Sequence, residues 1–182
     1  MPIDYDGTHT SSERTYFAST PNSLVCAAGT KSFFVIMGSE TKIIKVTRIH
    51  LTGLTMTARA YNNIALRKIS SIPSGGTSSS LVKTSCDIIN PASTVSVCKV
   101  YTVEPTTDGT LIGTIQSHRV QINDSNPVQG DPQQEIVSDF REYNESSGIV
   151  LRGINDGLTI AFGSTPASAI TLSLEVEWIE ID

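Results

Sequence analysis

Apolar and polar residues alternate most regularly in the last segment of the chain, Ile170 to Ile181. Four apolar side chains share one parity of this segment and four polar side chains share the other, which is the period of a β-strand with one buried and one wet face. The apolar set is Leu172, Leu174, Val176 and Trp178, and the polar set is Thr171, Ser173, Glu175 and Glu177. Because such a strand needs a second sheet to cover its apolar face, the pattern predicts a β-sandwich with Trp178 in its core.

The alternation changes after Trp178, because Ile179 and Ile181 fall on the face that Glu175 and Glu177 had used. This change predicts a β-bulge or a second contact surface. We expect Ile179 and Ile181 to form an apolar strip that contacts another copy of the chain. Edge strands of an open sandwich need cover, so the sequence predicts a homo-oligomer, with a trimer favoured.

Shorter patterns predict further strands from residue 32 onward. The predicted strands are 32–37, 42–52, 54–69 with a break at 62–63, 81–90, 94–103, 110–122, 135–140, 149–154 and 158–162. Together with the terminal strand and without a convincing helix, they predict an all-β fold, an antiparallel β-sandwich and most simply a jelly roll.

Turn-forming residues connect these strands. Asn90-Pro91-Ala92-Ser93 predicts a hairpin between 81–90 and 94–103, and Asn155-Asp156-Gly157 predicts a hairpin between 149–154 and 158–162. A change of parity within 42–52 predicts a bulge near Thr47 and Arg48. The polar stretches at 70–80 and 123–132 predict exposed loops.

Residues 1–30 show no sustained period and are rich in Ser, Thr, Gly and Asn. Such a segment cannot bury enough apolar area to fold alone. We therefore predict an extended N-terminal arm at 1–30 and a single jelly-roll domain at 31–182. The apolar side chains spaced along the arm are expected to bind a partner, and these candidate contact residues are Tyr5, Tyr16, Phe17, Leu24 and Val25.

Size and composition agree with one domain and an appendage, since the chain has 182 residues, 38% of them apolar and 17% charged. No run approaches the roughly 18 apolar residues of a membrane span, and the first residues lack the basic and apolar regions of a signal peptide. The sequence therefore predicts no membrane partner and synthesis in the cytoplasm.

The net charge is −5, and the charged residues are unevenly distributed along the chain. Residues 31–68 are basic and residues 104–182 are acidic. Two interpretations fit this pattern: complementary contacts between copies or with a lattice, or neutralisation of the two charge sets on neighbouring strands of one domain. Nucleic-acid binding is disfavoured, because the acidic total and the lack of interleaved aromatic residues leave no stacking platform.

Candidate catalytic chemistry is absent from the sequence pattern. Cys26, Cys86 and Cys98 lack metal-ligand spacing, and their odd number argues against a disulfide framework. The predicted hairpin would place Cys86 and Cys98 side by side, close enough to bridge, although strand geometry and a reducing cytoplasm favour free thiols. The three histidines, His9, His50 and His118, lie at no spacing that would pair them with a catalytic or metal-binding residue. The sequence also contains no nucleophile elbow, no HExxH zinc motif and no phosphate-binding loop. We expect no enzyme activity, no metal and no cofactor.

The order of segments resembles a family of small virion-associated proteins of tailed bacteriophages and prophages. The residues that carry the resemblance are KIIKVTRIHLTGL at 42–54, Gly-Gly-Thr-Ser at 75–78, DIINPASTVSVCKVYTVEPT at 87–106, LIGTI at 111–115, IVLRG at 149–153, GLTIAFG at 157–163 and LSLEVEWIE at 172–180. The arm at 1–30 lies outside it.

This resemblance implies a jelly-roll decoration or cement protein of the phage head. Such a protein acts as an oligomer on the capsid surface of the virion, binds the major capsid protein and stabilises the shell. The alternative is a tail or fibre module that binds host surface glycans through loops such as 70–80 and 123–132.

Overall fold

The chain folds into β-strands throughout the residues that this computed structural model describes, which are 13–21, 23–26, 29–124, 134–141 and 148–182. Thirteen strands and no helix occur in these ranges, so the predicted all-β class is confirmed. The strands are β1 (Arg14–Ser19), β2 (Leu24–Cys26), β3 (Ser32–Met37), β4 (Ile43–Met56), β5 (Ala60–Ile69), β6 (Thr77–Ser80), β7 (Thr84–Ser85), β8 (Cys98–Val103), β9 (Leu111–Asp124), β10 (Glu135–Asp139), β11 (Ile149–Arg152), β12 (Gly157–Phe162) and β13 (Ile170–Ile181).

The strands form two sheets that curl over a common core. In sheet I, β13 lies at the centre, with β4 on one side and β1 and β2 on the other. Strand β7 extends this sheet beyond β1, and β10 and β11 pair with the far edge of β4. Sheet II has the order β6-β8-β3-β12-β5-β9. A short parallel contact between β4 and β9, at Thr55 with Asn123 and Met56 with Asp124, joins the two sheets along one side.

The core occupies the space between the sheets, as predicted for a sandwich. The alternate apolar residues of β13 all point into it, and Trp178 has 0% of its surface exposed. Phe34 and Ile160 contribute to the same cluster from sheet II. Tyr16 of β1 stacks on Trp178, with ring centroids 6.0 Å apart. The predicted position of Trp178 in the core is thus confirmed.

A bulge interrupts the pairing of β4 with β13. Glu177 lies opposite Arg48 but Trp178 lies opposite Val46, so Thr47 is the additional residue. This confirms the bulge predicted near Thr47 and Arg48. The alternation of β13 itself continues past Trp178, because the buried side chain of Glu180 takes the next inward position.

Both predicted hairpins are wrong, because turn residues show where a chain reverses but not which strands pair. Residues 86–97 form a loop; on its two sides, β7 pairs with β1 and β8 pairs with β3 and β6. Likewise β11 pairs with β4 in sheet I, whereas β12 lies between β3 and β5 in sheet II. The turn at 153–156, with Gly153 at φ 76°, carries the chain from one sheet to the other.

Several element boundaries also differ from the prediction. Strand β4 runs on to Met56, and β5 continues unbroken through Asn62 and Asn63. The predicted loop at 70–80 ends in the exposed strand β6. Most of the predicted loop at 123–132 lies outside the described residues.

The predicted extent of the N-terminal arm needs correction. Strand β1 pairs along β13 from Arg14 opposite Glu180 to Ser19 opposite Glu175, and β2 pairs with the start of the same strand. These segments are too short to fold alone, but β13 supplies a complete row of hydrogen-bond partners. They therefore belong to sheet I and not to an arm, while residues 1–12 lie outside the described part of the chain.

Candidate functional site

The most exposed apolar side chains of the described structure lie in a turn at Asp87–Asn90, which we call the apolar turn. Ile88 is 100% exposed and Ile89 is 86% exposed. The turn is closed by hydrogen bonds from the Asn90 amide to the Asp87 carbonyl, 3.0 Å, and from the Ile89 amide to Asp87 Oδ1, 3.0 Å. Ser85 Oγ accepts further bonds from Asp87 N and Asn90 Nδ2. Two apolar side chains are thereby displayed on an internally bonded backbone.

The chain before the apolar turn is fixed to the edge of sheet I. Thr84 and Ser85 form β7, which pairs with Phe17 and Tyr16 of β1. The amide of Cys86 then donates to the carbonyl of Thr15 at 3.0 Å. The turn consequently begins from a regular strand edge.

The chain after the apolar turn is held by a buried carboxylate. Glu180 is 2% exposed and accepts hydrogen bonds from Ser93 Oγ at 2.5 Å, Thr94 N at 2.9 Å and Thr94 Oγ1 at 2.8 Å. The indole Nε1 of Trp178 donates to the same carboxylate at 3.3 Å. Tyr16 Oη donates to the Pro91 carbonyl at 3.0 Å. A buried carboxylate is stable only when donors satisfy it, and these donors come mainly from the loop that carries the turn.

The predicted contact residues of the arm do not form one surface. Tyr16 and Leu24 are buried in the core, so they are unavailable to a partner in this fold. Phe17 is half-buried opposite Glu177, and Val25 is exposed opposite Thr171 at the other end of β13. Tyr5 lies outside the described residues.

The two C-terminal isoleucines lie on the outer face of sheet I. Both are half-buried. Ile179 lies opposite Thr15 and Lys45, and Ile181 lies opposite Ile43. They form an apolar strip on one end of the sheet, next to the strand that anchors the apolar turn.

The uneven charge distribution of the sequence is largely paired inside the domain. Basic residues of β4 and β5, together with Lys42 just before β4, meet acidic residues of the later half of the chain, which supports the second of the two interpretations. The pairs are Arg67 with Asp108 at 3.2 Å, Lys68 with Asp156 at 2.7 Å, Arg48 with Glu175 at 4.0 Å, and Lys42 with Asp182.

The cysteines and histidines of the described residues lie apart. All three cysteines are free thiols, and burial raises the pKa of Cys26 and Cys98 to about 12. These two thiols therefore stay protonated near neutral pH, where only a thiolate would be nucleophilic.

His50 Nε2 lies 2.6 Å from Glu135 Oε1, whereas His118 Nε2 is buried without a hydrogen-bond partner among the described residues. No group of three or more potential metal ligands occurs within the described ranges.

The apolar turn was missed by the sequence analysis, which placed Ile88 and Ile89 in a strand. A usable signal was present, because turn-forming residues flank the pair on both sides: Asp87 before it and Asn90-Pro91 after it. An apolar pair between such residues is more consistent with a displayed turn than with a paired strand.

Comparison of the chain with models of protein families, with curated proteins and with solved structures finds no match. The described residues also contain no helix long and apolar enough to cross a membrane.

Proposed function

We propose that the chain is a structural protein of a tailed-bacteriophage virion, a decoration or cement protein that binds and stabilises the head shell as an oligomer. The resemblance carried by segments such as 42–54, 87–106 and 172–180 supports this role. The antiparallel β-sandwich agrees with it, and this role requires no active site.

We further infer that the sandwich is a jelly roll. Eight strands remain when β2, β6, β7, β8 and β11 are set aside, and they are ordered β1-β13-β4-β10 in sheet I and β3-β12-β5-β9 in sheet II. Successive strands of this set alternate between the sheets, except for β5 and β9, which pair with each other within sheet II. This is the arrangement of two interlocked Greek keys. Strands β6, β7 and β8 are then an insertion that extends both sheets on the same side.

The observation that carries the proposal is the apolar turn within this insertion. Burial of one isoleucine side chain on a partner contributes about 1.5–3 kcal/mol. Hydrogen bonds already order the backbone of the turn, so its binding loses less conformational entropy than that of a flexible loop. An apolar anchor on a fixed backbone is typical of the residues that dominate binding between proteins. The partner that we propose is the major capsid protein.

Copy number in purified particles tests this function against its alternative. Quantitative mass spectrometry should find hundreds of copies per particle if the chain decorates the head. A handful of copies would instead indicate the tail or fibre module, and absence from particles would contradict both.

A charge-introducing variant tests the role of the apolar turn. Ile88→Asp combined with Ile89→Asp should weaken binding to undecorated heads at least about tenfold, because each carboxylate would be desolvated at the contact. Ile112→Asp is a matched control, since Ile112 is an exposed isoleucine of β9 in the other sheet. Full decoration by the double variant would refute attachment through the turn.

Oligomerisation rests on the strip that includes Ile179 and Ile181. Its half-buried side chains would gain burial from a second copy, and we propose a trimer. Light scattering on the isolated protein checks this, and a monomer at tens of micromolar would count against it.

A further inference from the structure

A polar cleft of about 280 Å³ opens on the outer face of sheet II, and its residues have no part in the proposed function. Its lining comes from the start of β5, from β9 and from the segment that follows β12. The lining residues are Tyr61, Asn62, Asn63, Arg119 and Ser164. The cleft is slightly smaller than the pockets that hold drug-sized ligands, which suits a single sugar ring.

Tyr61 and Arg119 form one wall of the cleft. Tyr61 is 61% exposed, which is unusual for an aromatic ring on a regular strand. The guanidinium carbon of Arg119 lies 5.0 Å from the centroid of this ring, a cation–π contact that orients the arginine. Arg119 is exposed on β9 and lines the cleft. Its guanidinium therefore lies where a ligand in the cleft would meet it.

The floor of the cleft is fixed by Asn62, which is 5% exposed. Its Nδ2 donates to the Ser164 carbonyl at 3.1 Å, and its Oδ1 accepts from Ser164 Oγ at 3.3 Å. The Gly163 amide donates to the Asn63 carbonyl at 2.6 Å. These bonds tie the segment after β12 to β5, so the cleft is formed before any ligand binds.

The side chain of Asn63 completes the set of groups that a ligand would meet. It is exposed and lies directly opposite Arg119 in the register of β5 and β9. Its amide offers both a donor and an acceptor, which is the pairing that a sugar hydroxyl requires. Asn63 and Arg119 thus present an amide and a guanidinium side by side.

We propose that this cleft binds an acidic sugar, a pyranose that carries a carboxylate. The planar guanidinium of Arg119 matches a carboxylate through two parallel hydrogen bonds. The ring of Tyr61 offers an apolar surface to the C–H face of the sugar, and the amide of Asn63 binds its hydroxyl groups. Among the described residues that line the cleft, Arg119 is the charged one and it is positive, so the cleft distinguishes an acidic sugar from its neutral counterpart.

The test is a nuclear magnetic resonance titration of the intact chain with three acidic sugars: galacturonate, glucuronate and N-acetylneuraminate. At least one should shift the amide signals of Tyr61, Asn63 and Arg119, with a dissociation constant of about 1 mM. The corresponding neutral sugar should bind at least about tenfold more weakly, because the charged hydrogen bonds are lost. Acetate and inorganic phosphate are titrated in parallel to measure simple anion binding.

Two variants assign the binding to the cleft. Arg119→Gln and Tyr61→Ala should each weaken it at least about tenfold. Arg152→Gln is the matched control, because Arg152 is an exposed arginine of sheet I and its removal changes the net charge equally. Thermal melting checks that the variants are folded, and Asn63→Ala provides a third variant at an exposed position.

Three results would overturn the proposal. They are the absence of shifts with all three acidic sugars, equal binding of the neutral sugar, and equal binding of acetate or phosphate. The last would show a bare anion site. None of them bears on decoration of the phage head, because the cleft and the apolar turn lie on different sheets.

Discussion

Trp178 and the two isoleucines of the apolar turn are all large apolar side chains, yet the first is buried and the other two are exposed to water. The indole of Trp178 is fully buried against Tyr16, whereas Ile88 and Ile89 are almost fully exposed. The Glu180 carboxylate connects the two regions, because it binds the indole on one side and the loop of the turn on the other. Hydrogen bonds of the supporting backbone, more than apolar content, therefore separate an exposed turn from a core segment.

The largest effect is expected from Trp178→Ala. Removal of a fully buried indole leaves a cavity and should lower the free energy of unfolding by about 3–5 kcal/mol. Urea denaturation followed by circular dichroism measures it. An unchanged midpoint would mean that Trp178 does not belong to the core.

Glu180→Ala should lower the free energy of unfolding by about 2–4 kcal/mol, because it leaves the half-buried donors of Thr94 and the buried indole of Trp178 without an acceptor. It should also increase hydrogen exchange at the Thr94 amide, since the loop loses its anchor. Glu175→Ala is the matched control on the same strand; its side chain points outward and lies 4.0 Å from Arg48, so less than about 1 kcal/mol is expected. Equal effects of the two substitutions would contradict the anchoring role of Glu180.

The two buried thiols, Cys26 and Cys98, should make the free energy of unfolding depend on pH. The pKa of Cys26 and of Cys98 is raised to about 12 by burial, from an ordinary value of 9.0. The stabilisation from these raised values is fully present below pH 9 and is lost as pH rises toward 12. Each thiol should lower the free energy of unfolding by about 1 kcal/mol between pH 9 and pH 10.

Denaturation curves at these two pH values measure this loss. Cys98→Ala should reduce the pH dependence more than Cys86→Ala does. Cys86 is exposed beside the apolar turn, and the partial burial that raises its pKa is far smaller than that of Cys98. Identical pH dependence in the wild type and in Cys98→Ala would disprove the raised pKa.

The smallest effect on folding is expected for the apolar turn itself. Ile88→Ser combined with Ile89→Ser should change the free energy of unfolding by less than about 0.5 kcal/mol, because neither side chain contacts the core. Thermal melting provides the measurement. A loss above 1 kcal/mol would place the two isoleucines in a packed environment and remove the contrast with Trp178.

Local sequence patterns predicted those strands whose burial follows directly from their own residue types. Strand β3 was predicted at its observed bounds because every residue in it is apolar or small, and β13 because its parity is regular. The bulge at Thr47 was also predictable, since an additional residue shifts the parity of the strand that contains it.

Long-range pairing explains most of the errors. Strand β1 has no periodicity of its own and is stable because β13 offers it an edge, which a local pattern cannot show. The sequence around Asn155 predicts a reversal of the chain, but the choice between a hairpin and a crossing to the other sheet depends on β4 and β3. The anchor of the apolar turn was equally hidden, because Glu180 lies 86 residues along the chain from Thr94.

The pairing of β1 with β13 also determines how the sandwich responds to mechanical load. Arg14, at the start of β1, lies opposite Glu180, near the end of β13. A pull on the chain before Arg14 and after Ile181 therefore acts at the same end of an antiparallel ladder. Under that load the hydrogen bonds between β1 and β13 break one after another from this end, and the load is not shared by all of them at once. The β1–β13 ladder therefore resists this load less than it would resist shear along the strands.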